Sequence, residues 1–171
     1  GASERAGLAS TDPRKPELTE DEIRAAVAEA GKAGLFVAAH AHAREGAAAA
    51  VKAGVRSIEH GTWIDEDTLQ EMKRRGTYFV PTLAVMSPLG DPQGNSADDV
   101  ALQLRTQSMM EPLRAAVRRA RALAITVAAS TDGSYADSDD TGRIRLAHEI
   151  SMPRNDIGYT PLESISCATL N

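Results

Sequence analysis

The chain contains a single cysteine, Cys167, so no intrachain disulfide can form. That argues against oxidising export, fits a cytoplasmic setting, and leaves Cys167 to be read as a small buried hydrophobe. No apolar run reaches the roughly 18 residues of a membrane span. Signal-peptide character is missing, and so is an initiator Met: the sequence opens "GASERAGLAS" and closes "SCATLN" inside a helical pattern. It reads as an excerpt of a longer polypeptide. A surplus of positive charge is absent too. The net charge of −5 gives no attraction to nucleic acid or an anionic membrane, and the arginines are interspersed with acids on solvated helix faces. There is no P-loop, no G-x-G-x-x-G and no G-x-S-x-G, so phosphate cradles and serine-hydrolase elbows have no residues to build on. Asp137, Asp139 and Asp140 lack the glycine and terminal glutamate of an EF-hand and read as solvated loop.

What is present is a repeating alternation. Residues 1–17 are Gly/Ser/Pro-rich loop, and residues 18–171 carry the regular units. Thr19 and Glu22 stand at capping-box spacing before a helix with Ile23, Ala26, Val27 and Ala30 on one stripe, stopped at Gly34. The strand-like run "LFVAAH" follows, then a helix ending at Gly54, then "VRSIEH". Asp65 caps a third helix with Leu69 and Met72 inward, and "TYFVPT" is the third strand. A polar loop between Val85 and Asp99 precedes a helix over 98–122. Its stripe is Met109, Leu113, Val117 and Ala120, and Pro112 is expected to kink or restart it. "AITVAAS" is the fourth strand, and Thr160 with Glu163 opens the last helix.

Apolar strands alternating with helices predict a parallel sheet covered on both faces. Either an open doubly wound sheet or part of a (β/α)8 barrel fits. A complete barrel takes about 250 residues, so four β/α units in a chain of 171 would make about half of one. Each strand then ends in a polar residue, where barrels gather reactive groups. These are His40 (with His42), His60, Thr82 and Asp132. Neutral imidazole and carboxylate are zinc-type ligands, and strand ends distant in sequence can converge at one mouth. His40 and His42 share a face of an extended strand. His40 is the preferred ligand because it lies nearer the sheet, and His42 reads as the start of the loop. His148 reads as a surface or helix-packing residue on the helix after the fourth strand, with Glu149 beside it at the pocket's edge.

The stretch "VAAHAHAREGAAAAVKAGVRSIEHGTWIDEDTLQEMKRRGTYFVPTL", with "STDGS" and "TPLESISCATLN" after it, resembles the metal-dependent amidohydrolase superfamily. Its imidazolonepropionase-like and Xaa-Pro dipeptidase-like branch is the most similar. The resemblance implies a (β/α)8 TIM barrel of which this sequence supplies strands five to eight, with one or two divalent metals, usually zinc. It implies metal ligation by His40, His60 and Asp132, with Asp132 also taking the proton of the attacking water and His60 meeting charge on the tetrahedral oxygen. Thr82 would stand near the substrate, with Tyr135 and His42 as further contacts and Trp63 as an apolar wall. The implied reaction is hydrolysis of a C–N bond in a small molecule such as a dipeptide, an N-acyl amino acid or a cyclic amide. The family's first-strand His-x-His pair and fourth-strand bridging lysine or glutamate have no counterpart in this sequence. The expected partner is therefore an N-terminal half of the barrel or a second copy. The alternative is an inert half-barrel that folds by such association.

Overall fold

The computed structural model describes residues 1–2, 11–84, 100–132 and 141–170, with the backbone alone at 100–103 and 141–146. Helix α1 (Glu20–Lys32) begins where expected. The Thr19 hydroxyl accepts the Glu22 amide, and the Glu22 carboxylate accepts the Thr19 amide at 2.8 Å. β1 (Ala38–Ala41), α2 (Arg44–Ala53), β2 (Ser57–His60), α3 (Glu66–Arg75) and β3 (Tyr78–Val80) then alternate. Asp65 caps α3 through the Thr68 amide at 2.9 Å, and Leu69 and Met72 are fully buried beneath it. After β3 come α4 (Val100–Ala122), α5 (Thr141–Met152), one π-helical turn (Pro153–Ile157) and α6 (Pro161–Thr169), which carries the second capping box.

The three strands pair in parallel in sequence order, with His40 opposite Glu59, Ala41 opposite His60 and Glu59 opposite Val80. Helices on a sheet need an apolar stripe. On α4, Met109, Leu113, Ala116, Val117 and Ala120 supply it and are fully buried. They share one core with Ile58, Phe79 and Val127 of the sheet and with Val51, Leu69 and Met72 of α2 and α3.

Three expectations need correction. The first strand starts at Ala38 rather than Leu35. The Leu35 amide closes α1 by bonding the Ala30 carbonyl at 3.0 Å, with Gly34 at φ 70°. This Schellman closure leaves Leu35 and Phe36 exposed, with the Arg56 guanidinium over the Phe36 ring. Second, α4 runs through Pro112 as one helix rather than restarting there; the continuous buried stripe on both sides of the proline outweighs the lost backbone hydrogen bond. Third, the fourth strand contracts to a single parallel bridge between Phe79 and Val127. The Ala128 amide still bonds the Phe79 carbonyl at 2.9 Å, but the next amide, of Ala129, turns away to the Cys167 carbonyl of α6 at 2.8 Å. At the outer side of β1, the Ala2 amide reaches the His40 carbonyl at 2.7 Å, so that edge is partly occupied within the chain. Among the described residues no helix is long and apolar enough to cross a membrane.

Candidate metal centre

The end of β1 and the end of β2 deliver three imidazoles to one place. Strand alternation alone would set His40 and His60 on opposite faces, because His60 pairs with Ala41 and Glu59 with His40. His60, however, has φ 71°, and Gly61 after it has φ 59°. The extended geometry breaks there, and the His40 and His60 rings meet with centroids 4.6 Å apart. His42 joins them, 4.8 Å from His40 and stacked on His60 at 4.5 Å. One ligand atom from each of the three lies within 4.8 Å of the others. Gly61 cannot carry a side chain here, since a Cβ would stand 2.6 Å from the buried Phe79 ring.

Each of two rings is oriented by a threonine from the segment after the next strand. His42 Nδ1 is 2.9 Å from Thr62 Oγ1, and His60 Nδ1 is 2.6 Å from Thr82 Oγ1. Thr82 favours one tautomer of His60. Its single hydroxyl proton goes to the Pro81 carbonyl at 2.7 Å, so Thr82 Oγ1 can only accept from His60. Nδ1 therefore carries the proton, and Nε2 keeps its lone pair. That bare nitrogen lies 4.0 Å from Asp132 Oδ2. This is too long for a hydrogen bond. It is within the ~4.2 Å limit set by two ligands each about 2.1 Å from one ion.

The electrostatics favour neutral ligands. Burial first, then the charges of His60 and His40, push the His42 pKa down to about 2. Burial and His40 push His60 down to about 3. Imidazole binds metal only when unprotonated, so both stand ready across the physiological range. Asp132 differs: its side chain is 56% exposed, at the rim, with backbone φ 51°. Thr82, at φ 51°, is the third non-glycine site residue in the left-handed region. Such backbone costs of order 1–3 kcal/mol per residue and concentrates at functional positions.

Thus His40, His42, His60, Thr82 and Asp132 are brought together, while Tyr135 and the loop between Val85 and Asp99 lie outside the described residues. Thr82 is buried behind His60 rather than turned to open solvent. His42, read from sequence as the start of a loop, is 1% exposed and part of the cluster. Trp63 is half-buried beneath the Arg14 guanidinium, and His148 is also half-buried. Two contributors, Thr62 and Glu59, escaped the sequence reading, and a third, Glu149, was underread. Thr62 had no visible signal. Half-buried Glu59 has its pKa raised by burial and also by the neighbouring Asp132 charge; the strand register that sets it opposite His40 could have suggested it. Glu149 was noticed only as an edge residue, yet it is 1% exposed and accepts the Leu83 and Ala84 amides.

The Amidohydrolase family model matches residues 2–171. Ochratoxinase of Aspergillus niger is 30% identical over 170 residues, an alignment that takes in 96% of this chain and 33% of that protein. The crystal structure of A. niger ochratoxinase superposes with a TM-score of 0.84 at 28% identity, over 99% of this chain and 37% of that one. A prolidase complexed with N-methylphosphonate-L-proline gives 0.83 at 26% identity, over 98% and 40%. A Xaa-Pro dipeptidase with methionine bound in its active site gives 0.75 at 25%, over 98% and 40%. The chain thus spans about a third of the length of the curated relative it matches. The solved neighbours are TIM-barrel proteins, and the β/α units described above are about four-tenths of them or slightly less.

Proposed function

Because the chain belongs to the Amidohydrolase family, we propose that it carries the metal-holding face of a hydrolase that cleaves an amide-type C–N bond. The observation that carries this reading is the convergence of His40, His42 and His60, with Asp132 Oδ2 4.0 Å from Nε2 of His60. The donor set fits a divalent ion: three imidazoles, of which His42 and His60 are held neutral, a carboxylate, and a threonine fixing one ring from behind. His40, His60 and Asp132 would hold it. A nitrogen-rich set favours zinc over magnesium or calcium, which prefer all-oxygen shells. When bound, the ion supplies Lewis-acid polarisation of the scissile carbonyl and acidifies a water.

The protein's own groups do the rest. Asp132, on the rim and open to solvent, would accept the proton of the attacking water and pass it to the departing nitrogen. His60 would serve through Nε2 as a ligand only: its one proton, on Nδ1, is given to Thr82, so it has no N–H left for the carbonyl oxygen. Substrates of the class found with similar proteins are small. A phosphonate joined to the proline nitrogen, as in the prolidase complex, has the tetrahedral shape of an amide carbon under attack. That supports dipeptides or N-acyl amino acids as first candidates.

A second reading has its own support. The chain matches only 33–40% of its relatives, so it could hold metal yet hydrolyse nothing until joined by a complementary half or a second copy. One experiment separates the two: elemental analysis of protein purified without chelator, together with amine release from N-acyl amino acids and dipeptides. Bound zinc lost in His60→Ala, with hydrolysis reduced about 10²–10⁴-fold in Asp132→Asn, supports the hydrolase. Zinc without turnover supports the second reading, and protein free of metal overturns both.

A further inference from the structure

One buried carboxyl has no part in that reading. Glu149, on α5, is 1% exposed. One oxygen accepts the Leu83 amide at 3.1 Å and the other the Ala84 amide at 2.5 Å. These two amides directly follow Thr82, a β-branched residue held at φ 51°, where its side chain opposes the backbone. Thr82 in turn accepts from His60 Nδ1 at 2.6 Å.

We propose that Glu149 is a positioning residue: by fastening the two amides after Thr82 it holds the left-handed backbone that aims Thr82 Oγ1 at His60. Through Thr82, Glu149 keeps His60 in the Nδ1–H tautomer with Nε2 turned to Asp132. The inference rests on the reading of His60 as a metal ligand for its consequence, not for its first test.

The arrangement suits a carboxyl group with both oxygens free to accept, the form Glu149 takes above about pH 7. Two N–H groups converge from one turn, and each, left bare in a dry interior, would be costly. A carboxylate offers an acceptor oxygen to each. A carboxamide offers one oxygen and faces the other amide with its own N–H. An ordinary brace between α5 and the loop would secure the helix but would have no bearing on which imidazole nitrogen carries the proton. The line from Glu149 through Leu83 and Ala84 to Thr82 and His60 makes that connection.

The test reads the imidazole nitrogens of the metal-free protein by ¹⁵N NMR, and then titrates with cobalt(II) alone. In the unmodified protein His60 shows one tautomer. Thr82→Val, which removes the acceptor at nearly constant shape, mixes the tautomers, and Thr82→Ser restores the single one. Glu149→Gln is expected to mix them as Thr82→Val does and to weaken cobalt binding about 10–100-fold. Added to Thr82→Val, it should weaken cobalt binding no further, because both act through one hydroxyl. If Glu149→Gln does not fold, Glu149→Asp keeps both oxygens on a shorter arm and carries the same test. A Glu149 variant that melts earlier while His60 keeps its single tautomer and its cobalt affinity overturns the proposal. Tautomer changes as described in a protein that takes up no cobalt would uphold the positioning role and defeat the metal reading.

Discussion

His42 and His60 are kept neutral by their surroundings. Burial removes the water that would solvate an imidazolium, and each ring lies against others that would be charged beside it. In the metal-free protein their folded pKa values, about 2 and about 3, lie below the ordinary 6.5. Their contribution to stability is therefore present above pH 6.5 and is lost as the pH falls toward those values, by roughly 2 kcal/mol per imidazole at pH 5. Glu149 runs the other way. Burial raises its carboxyl from 4.5 to about 7, against the pull of the Ala84 and Leu83 amides. Its contribution is complete below pH 4.5 and is lost as the pH rises through 7. Between pH 7.5 and 5 the two effects oppose each other. Urea unfolding should thus show Glu149→Gln losing stability on acidification more steeply than the unmodified protein, by roughly 2 kcal/mol over that interval. An equal or shallower fall in the variant would mean that Glu149 stays ionised in the fold down to pH 5, its pKa not raised by burial.

At the scale of elements, the end of α4 departs from the pattern of the first three helices. α1, α2 and α3 each finish by turning a glycine left-handed, Gly34, Gly54 and Gly76, while the following amide bonds back into the last turn. α4 makes the same closure, Ile125 amide to Ala120 carbonyl at 2.9 Å, but with Ala124 at φ 52°. A left-handed alanine costs about 1–2 kcal/mol, and a glycine there gives back part of that in unfolded-chain entropy. Ala124 is exposed and its neighbour Lys73 bonds only its carbonyl, so Ala124→Gly should stabilise the protein by about 0.5–1 kcal/mol, read as a higher denaturant midpoint at unchanged slope. The caps and glycine stops were the most legible features of the sequence, because each is a local bargain between neighbouring residues: Thr19 with Glu22, Asp65 with the Thr68 amide, Thr160 with Glu163. The first two strand ends were legible for the same reason, with His40 in β1 and His60 closing β2, whereas Thr82 and Asp132 stand beyond the last paired residues, Val80 and Val127. What stayed hidden was non-local or conformational. No composition rule predicts φ 71° at a histidine or φ 51° at a threonine. The fourth strand yielded its hydrogen bond to α6, about forty residues on. Glu149 meets its amides from a helix 65 and 66 residues away.

For the molecule as a whole, the candidate ligands come from separate β/α units, so an ion that joins them must also join the units. β1 and β2 supply the histidines, and Asp132 follows the bridge at Val127, beyond α4. The later part is tied back by the Ala129–Cys167 backbone bond, by Arg114 to Asp156 at 2.7 Å and by Glu149. Metal bound only to the folded form shifts unfolding by mass action, about 2.7 kcal/mol at a hundredfold excess over Kd. A domain of this size moves roughly 2–4 °C per kcal/mol, so zinc at that excess should raise Tm by about 5–10 °C. Magnesium should leave Tm unchanged, because it seeks oxygen ligands and gives up its water reluctantly. His60→Gln should remove most of the zinc shift and Asp132→Asn only part, since the imidazoles are buried at the centre of the cluster while the carboxylate stands at its rim. A chelator should return the unmodified protein to its starting Tm. An equal zinc shift in His60→Gln would locate the ion at some other place on the surface, and the convergence of the three histidines would then be a matter of packing alone.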